Sequence, residues 1–139
     1  MDWKECCDRR IAKDVSVDKE MVKSLIKSSE KKLESEKRLE LDETTAESKI
    51  SLAYDSLREL LEALALNHGF KVYNHECYTH FLKEVLDESS VGDDFDSLRK
   101  TRNSINYYGK EVSPEEAKTV IVLAKKLRGF VLNRIGKFE

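Results

Sequence analysis

The sequence predicts an all-α protein, an up-and-down antiparallel bundle of four main helices with a short extra helix at the N-terminus. Three observations predict it. Leucine, lysine and glutamate are abundant, while the 139 residues hold only one proline and five glycines, so helix breakers are scarce. Apolar residues recur at three- and four-residue spacing along most of the chain. The connections between these periodic segments are short, which sets neighbouring helices antiparallel. A single domain over residues 1–139, with 1–15 as a short N-terminal helix against the bundle, buries roughly two thirds of the surface its unfolded chain exposes.

The elements follow in order. Residues 2–13 form a short helix with Trp3, Cys6, Cys7 and Ile11 on one side, the tryptophan anchoring the N-terminus. Ser16 or Asp18 caps the next helix, whose apolar positions Met21/Val22, Leu25/Ile26 and Leu33 keep helical spacing. Its second half, 28–40, is rich in Glu and Lys and reads as solvated on most sides. Thr44-Thr45-Ala46-Glu47 has the form of a capping box. The helix it opens carries the strongest apolar seam: Ile50, Ala53/Tyr54, Leu57, Leu60/Leu61 and Leu64. Gly69 suits the left-handed stop that follows. Phe70 to Tyr73 can be extended but has no matching partner strand. Asn74 caps a third helix with Cys77, Tyr78, Phe81, Leu82, Val85 and Leu86 facing inward. Residues 87–94, with Gly92, read as a loop. A fourth segment runs from about Asp94 or Phe95 to Tyr108 and stops at Gly109. Ser113-Pro114-Glu115-Glu116 then gives the clearest helix start in the chain, with serine as cap and proline at the first helical position. The last helix turns Ala117, Val120/Ile121, Ala124, Leu127 and Val131 inward, with Lys118, Lys125, Arg128 and Arg134 outside or at its edge.

Composition bounds the function. A formal net charge of −2 argues against coating nucleic acid by bulk charge, though it leaves room for a local basic patch. Three cysteines (Cys6, Cys7 and Cys77), no Cys-x-x-Cys spacing and a start without an apolar signal segment predict reduced thiols in a cytoplasmic setting. No apolar run approaches the roughly 20 residues that span a bilayer, so no membrane partner is expected.

One stretch departs from the plain pattern of apolar seam and charged back: Arg99-Lys100-Thr101-Arg102-Asn103-Ser104-Ile105-Asn106-Tyr107-Tyr108-Gly109. At about 100° per residue, Asn106, Arg99, Asn103 and Tyr107 fall about 40°, 60°, 100° and 140° from Arg102. Phe95, Leu98, Thr101, Ile105 and Tyr108 occupy the other arc, from about +20° to −120°. A guanidinium recognises phosphate with two parallel donors, and a phenol ring can stack on a base. The same residues have a plainer reading. Arg99 can pair with Asp94, Asp96 or a glutamate on a neighbouring helix, and the amides and tyrosines can close the helix end or line a homodimer seam.

This stretch, followed by the Ser-Pro-Glu-Glu-Ala helix start, resembles the signature region of HEPN domains. Those are all-helical bundles whose late motif places a polar residue after an arginine, and then a histidine after four to six intervening residues. The resemblance extends as a helix pattern over about residues 45–134, and only 99–109 are motif-specific. It implies that Arg102 is the motif arginine, Asn103 its polar neighbour and Tyr107 the occupant of the histidine position, with Tyr108 next in the window. It also implies a homodimer with a nucleotide or RNA as ligand, and a minimal nucleotidyltransferase as partner in a toxin–antitoxin-type pair. In RNA-cleaving members, arginine and histidine act without metal at a cleft between two protomers.

No histidine follows Arg102 in this chain. A phenol, with an ordinary pKa of about 10, is a poor base at neutral pH. The expected function is therefore a homodimeric nucleotide- or RNA-binding module using Arg99, Arg102, Asn103, Asn106, Tyr107 and Tyr108. The alternatives are a metal-independent ribonuclease in which Arg102, Asn103 and Tyr107 or Tyr108 carry cleavage, and a dimerisation scaffold. No cofactor is expected. Nor is a metal, though His68, His75, Cys77 and His80 invite one: His75 and His80 are five apart, unlike the i, i+4 pair of a helical zinc site, and His68 sits at a helix end. The basic last helix (Lys118, Lys125, Lys126, Arg128, Arg134, Lys137) either attracts phosphate or is an ordinary wet exterior.

Overall fold

The computed structural model describes residues 1–136, so Lys137 lies outside the described residues. Six α-helices are present among the described residues: α1 (Trp3–Asp8), α2 (Lys19–Arg38), α3 (Ala46–Asn67), α4 (His75–His80), α5 (Ser89–Tyr108) and α6 (Pro114–Gly136). The all-α bundle stands as expected. Cross-helix contacts fix its directions. Ser29 of α2 meets Ser56 of α3, and Glu36 meets Lys49, so these helices run antiparallel. Arg134 near the end of α6 reaches Glu88 at the start of α5. The central helix α3 is buried along most of its length, from Ala46 to Leu66.

Several local expectations are met by specific bonds. Asp18 accepts the Met21 amide at 3.0 Å and Asn74 the Glu76 amide at 2.8 Å, each a side-chain cap. Ser113 Oγ accepts the Glu116 amide at 3.1 Å. Gly69 and Gly109 both take positive φ, +84° and +68°, at helix ends.

Other expectations are corrected. The capping box at Thr44 does not form: α3 begins at Ala46, and Asp42 Oδ1 takes the amides of Thr44 and Thr45 at 2.8 and 2.9 Å. The Thr45 hydroxyl is drawn instead to the Glu40 carbonyl and the Asp42 amide. Phe70–Val72 does find a strand partner. It pairs antiparallel with Ala12–Asp14, Ala12 opposite Val72, inside what the sequence pattern assigned to the first helix. A three-residue strand is too short to show alternation, which is why its partner was invisible. Residues 87–94 are mostly helix, not loop, since α5 starts at Ser89. The helix after Asn74 widens into a π turn at Phe81–Val85, which lets Phe81 and Leu82 both bury.

Cys6 and Cys77 form a disulfide joining α1 to α4, and Cys7 is the free thiol. This overturns the expectation of three reduced thiols. An odd count requires only one leftover cysteine, and the bridging partner lies 71 residues away. None of the described helices is long and apolar enough to cross a membrane.

Arg128 is also corrected. It is buried, with Nε donating to Ser56 Oγ at 2.8 Å and Ser29 Oγ at 3.2 Å. Seven residues further along α2, Glu36 is buried between Lys49 at 3.2 Å and Lys125 at 2.8 Å. Lys32 and Glu59 pair nearby. The second half of α2 thus carries a buried polar seam under its wet exterior. Seven residues make almost two full turns of helix, so Val22, Ser29 and Glu36 share one buried line, and the last two meet both α3 and α6.

Candidate functional site on helix α5

Helix α5 is seated by Phe95, Leu98 and Ile105, all buried on its inner side. Gly92 lets it approach the α4 segment closely. A Cβ there would lie 2.3 Å from Lys83 Cγ and 3.1 Å from the Thr79 carbonyl oxygen. This glycine is used for packing and not for a turn.

The two arginines of the polar stripe then find different surroundings. Arg99 donates Nη2 and Nε to Asp96 Oδ1 at 2.8 and 3.1 Å, with Glu76 Oε1 3.8 Å away. Asp96 also meets Lys100 at 3.1 Å and Thr79 at 3.3 Å. Burial opposes ionisation of Asp96, yet the hydrogen bonds from Arg99 and Lys100 outweigh it and hold the carboxyl below its ordinary pKa. Arg99 thus makes the carboxylate pairing that the plainer of its two readings expects, on both α4 and α5.

Arg102 is bound less tightly. Its guanidinium carbon stands 5.2 Å from the Tyr54 ring centroid, a cation–π geometry. The nearest carboxylate oxygen is Asp55 Oδ1, 3.8 Å from Nη2, beyond hydrogen-bond length. Its Nε is buried and has no hydrogen-bond partner. The Tyr54 hydroxyl lies 3.0 Å from His75 Nδ1. Burial pushes the Tyr54 phenol well up, against the fields of Arg102 and Arg99, so it stays protonated. Burial, with the fields of Arg58 and Arg102, pulls His75 down to about 4, so its ring is neutral at pH 7.

The remaining stripe residues lie further along α5. Asn103 is half-buried and Asn106 exposed. Tyr107 and Tyr108 are 69% and 82% exposed. Tyr108 was expected on the apolar arc. Its 82% exposure places it on the surface instead. A cleft lined by Glu43, Glu47, Glu111, Val112 and Ser113 opens at the loop that follows α5. The structure thus brings Arg102 together with Tyr54, Asp55 and His75, and leaves Tyr107 and Tyr108 on the surface away from that group.

Sequence reasoning missed Tyr54, Asp55 and His75. Tyr54 was one phenol in an aliphatic seam, and that oddity was the available signal. His75 was weighed only as a metal ligand. Of the other residues weighed for metal, Cys77 is in the disulfide and His80 lies between Glu76 and Glu84, 3.9 and 3.7 Å away. No protein-family model matches the chain, and no curated protein is similar to it in sequence.

Proposed function

We propose that the protein is a HEPN-like homodimeric module that binds single-stranded RNA or nucleotides along α5 and works with a minimal nucleotidyltransferase in a toxin–antitoxin-type pair. The observation that carries the binding reading is the pair of tyrosine rings, 69% and 82% exposed, at the end of a helix whose Arg102 keeps an unused donor. Base stacking on an aromatic ring contributes about 1–3 kcal/mol per base and needs no bulk positive charge. That fits a chain of net charge −2. Asn103 and Asn106, between the arginine and the tyrosines, offer donors and acceptors to base edges. Homodimer and nucleotidyltransferase partner rest on the resemblance of residues 99–109. Cleavage by Arg102 with Tyr107 is less supported, because the two side chains occupy separate environments.

The test is a fluorescence-anisotropy titration of labelled single-stranded RNA in EDTA, with the same samples run on a denaturing gel. The expected result is binding without cleavage, weakened about 10- to 100-fold in Tyr107→Ala/Tyr108→Ala. Intact RNA affinity in that double variant would overturn the reading. Cleavage by wild type but not by Arg102→Ala would replace it with the ribonuclease reading.

A further inference from the structure

We infer that Arg102 and His75, backed by the ring of Tyr54, form a seat for one phosphodiester in the seam between α3, α4 and α5, and that His75 takes up a proton as the phosphate arrives. The inference rests on the nucleic-acid reading and makes it more specific, by moving the phosphate from the outer stripe of α5 to a site that two further helices complete.

Three features carry it. The first is the unmet donor. Arg58, Arg99 and Arg134 each have a carboxylate oxygen within 3.1 Å (Glu62, Asp96 and Glu88). Arg102 has none closer than 3.8 Å, and its buried Nε has no acceptor. A buried donor without an acceptor is costly, and an anion oxygen is the acceptor a guanidinium fork fits best. The second feature is preorganisation: Tyr54, 1% exposed, backs the guanidinium with its ring.

The third is the imidazole at the far end of the same tyrosine. With Nδ1 accepting from the Tyr54 hydroxyl, the neutral ring carries its proton on Nε2, a donor for a second phosphate oxygen. The charges acting on His75 come from Arg58 and Asp55 on α3 and from Arg99 and Arg102 on α5. On its own helix Glu76 is the next residue, with its Oε1 3.8 Å from Arg99 Nη2. Burial, and then three guanidinium groups against one aspartate, keep the free ring neutral. A phosphodiester in the seat adds a negative charge close to the ring and favours its protonated form, in which both nitrogens donate. Along α5, Tyr107 is about 7.5 Å beyond Arg102 in rise, so a neighbouring base can lie towards the exposed rings.

The probe is the dinucleoside monophosphate UpU, whose diester keeps one charge between pH 5 and 8. Uridine 5′-monophosphate serves as a second arm that separates an internal diester from a terminal phosphate. Calorimetric titrations at pH 5.5 and 7.5, in buffers of differing ionisation enthalpy, report affinity and proton uptake together, while NMR follows the His75 ring. For wild type the expected result is several-fold tighter UpU binding at pH 5.5 than at 7.5, with net proton uptake and an upward-moving His75 titration. His75→Gln should still bind but lose both the pH dependence and the uptake. Arg102→Gln and Arg102→Lys, checked for fold by circular dichroism, should each bind at least 10-fold more weakly.

Equal pH profiles for wild type and His75→Gln would overturn the proton-linked seat. UpU binding that needs Tyr107 and Tyr108 but ignores Arg102→Gln and His75→Gln would overturn the seat and leave the nucleic-acid reading standing. No binding of UpU or of longer RNA would overturn both. Tighter binding of the monophosphate than of UpU would contradict the internal diester.

Discussion

The two flanks of α3 are built from different chemistry. Towards α2 and α6 it meets buried polar layers: Ser29–Ser56–Arg128, then Glu36 between Lys49 and Lys125. Towards α4 and α5 it meets rings. Tyr54 stacks on Phe95 with centroids 5.9 Å apart, and Phe95 meets Tyr78 edge-on at 6.4 Å. On the first flank Glu36 is answered by two lysines and Arg128 by two serine hydroxyls, and a seven-residue slip would put Glu36 where Ser29 sits. Such layers specify alignment more than they add stability. On the second flank apolar burial supplies the stability, and one charge, Arg102, is left with donor capacity for something outside the chain. Arg128 on the first flank also has a buried nitrogen without a partner, but its Nε is held by two serine hydroxyls, whereas Arg102 has only the Tyr54 ring and a carboxylate 3.8 Å away.

The largest expected effect tests the aromatic flank. Phe95→Ala removes a fully buried ring and should cost about 4 kcal/mol of unfolding free energy in urea titrations followed by circular dichroism. A cost under about 1 kcal/mol would mean that the flank does not carry the core. The polar flank is broken by Glu36→Ala, which leaves Lys49 buried and without a carboxylate, at a cost of about 3 kcal/mol. If that layer chiefly sets alignment, Glu36→Met with Lys49→Met should recover most of the loss.

Acid acts on the second flank. His75 has a folded pKa of about 4, below its ordinary 6.5, so between those values the unfolded chain binds more protons. Its contribution is complete above pH 6.5 and is lost as pH falls through about 4. Wild type should lose on the order of 2 kcal/mol more than His75→Gln between pH 7 and 4.5. The smallest effect is conformational. A methyl group on Gly109, which sits at φ +68°, would meet nothing within 4 Å, so Gly109→Ala should cost about 1 kcal/mol through backbone strain alone.

The helices of this bundle were legible because their signals are local and repeated: Asp18 and Asn74 as caps, Gly69 and Gly109 as stops, and the apolar seam of α3. What stayed hidden depended on distant partners. The strand at Ala12–Asp14 needed Phe70–Val72, Cys6 needed Cys77, and Arg128 needed two serines on two other helices. Arg102 was visible as a candidate, but its neighbours were not, because Tyr54 and His75 lie 48 and 27 positions earlier in the chain. Tyr107 and Tyr108 were read as a pair with Arg102, and only the fold separates their surroundings.

The most direct test of the account is the salt dependence of single-stranded RNA affinity, measured by anisotropy in EDTA for wild type and Arg102→Ala. One phosphate held by one arginine predicts that log K falls with log salt at a slope of about −0.7 for wild type and near zero for the variant. A slope unchanged by the substitution would contradict the account, as would a wild-type slope several times steeper, because either would place the phosphate contacts elsewhere on the molecule.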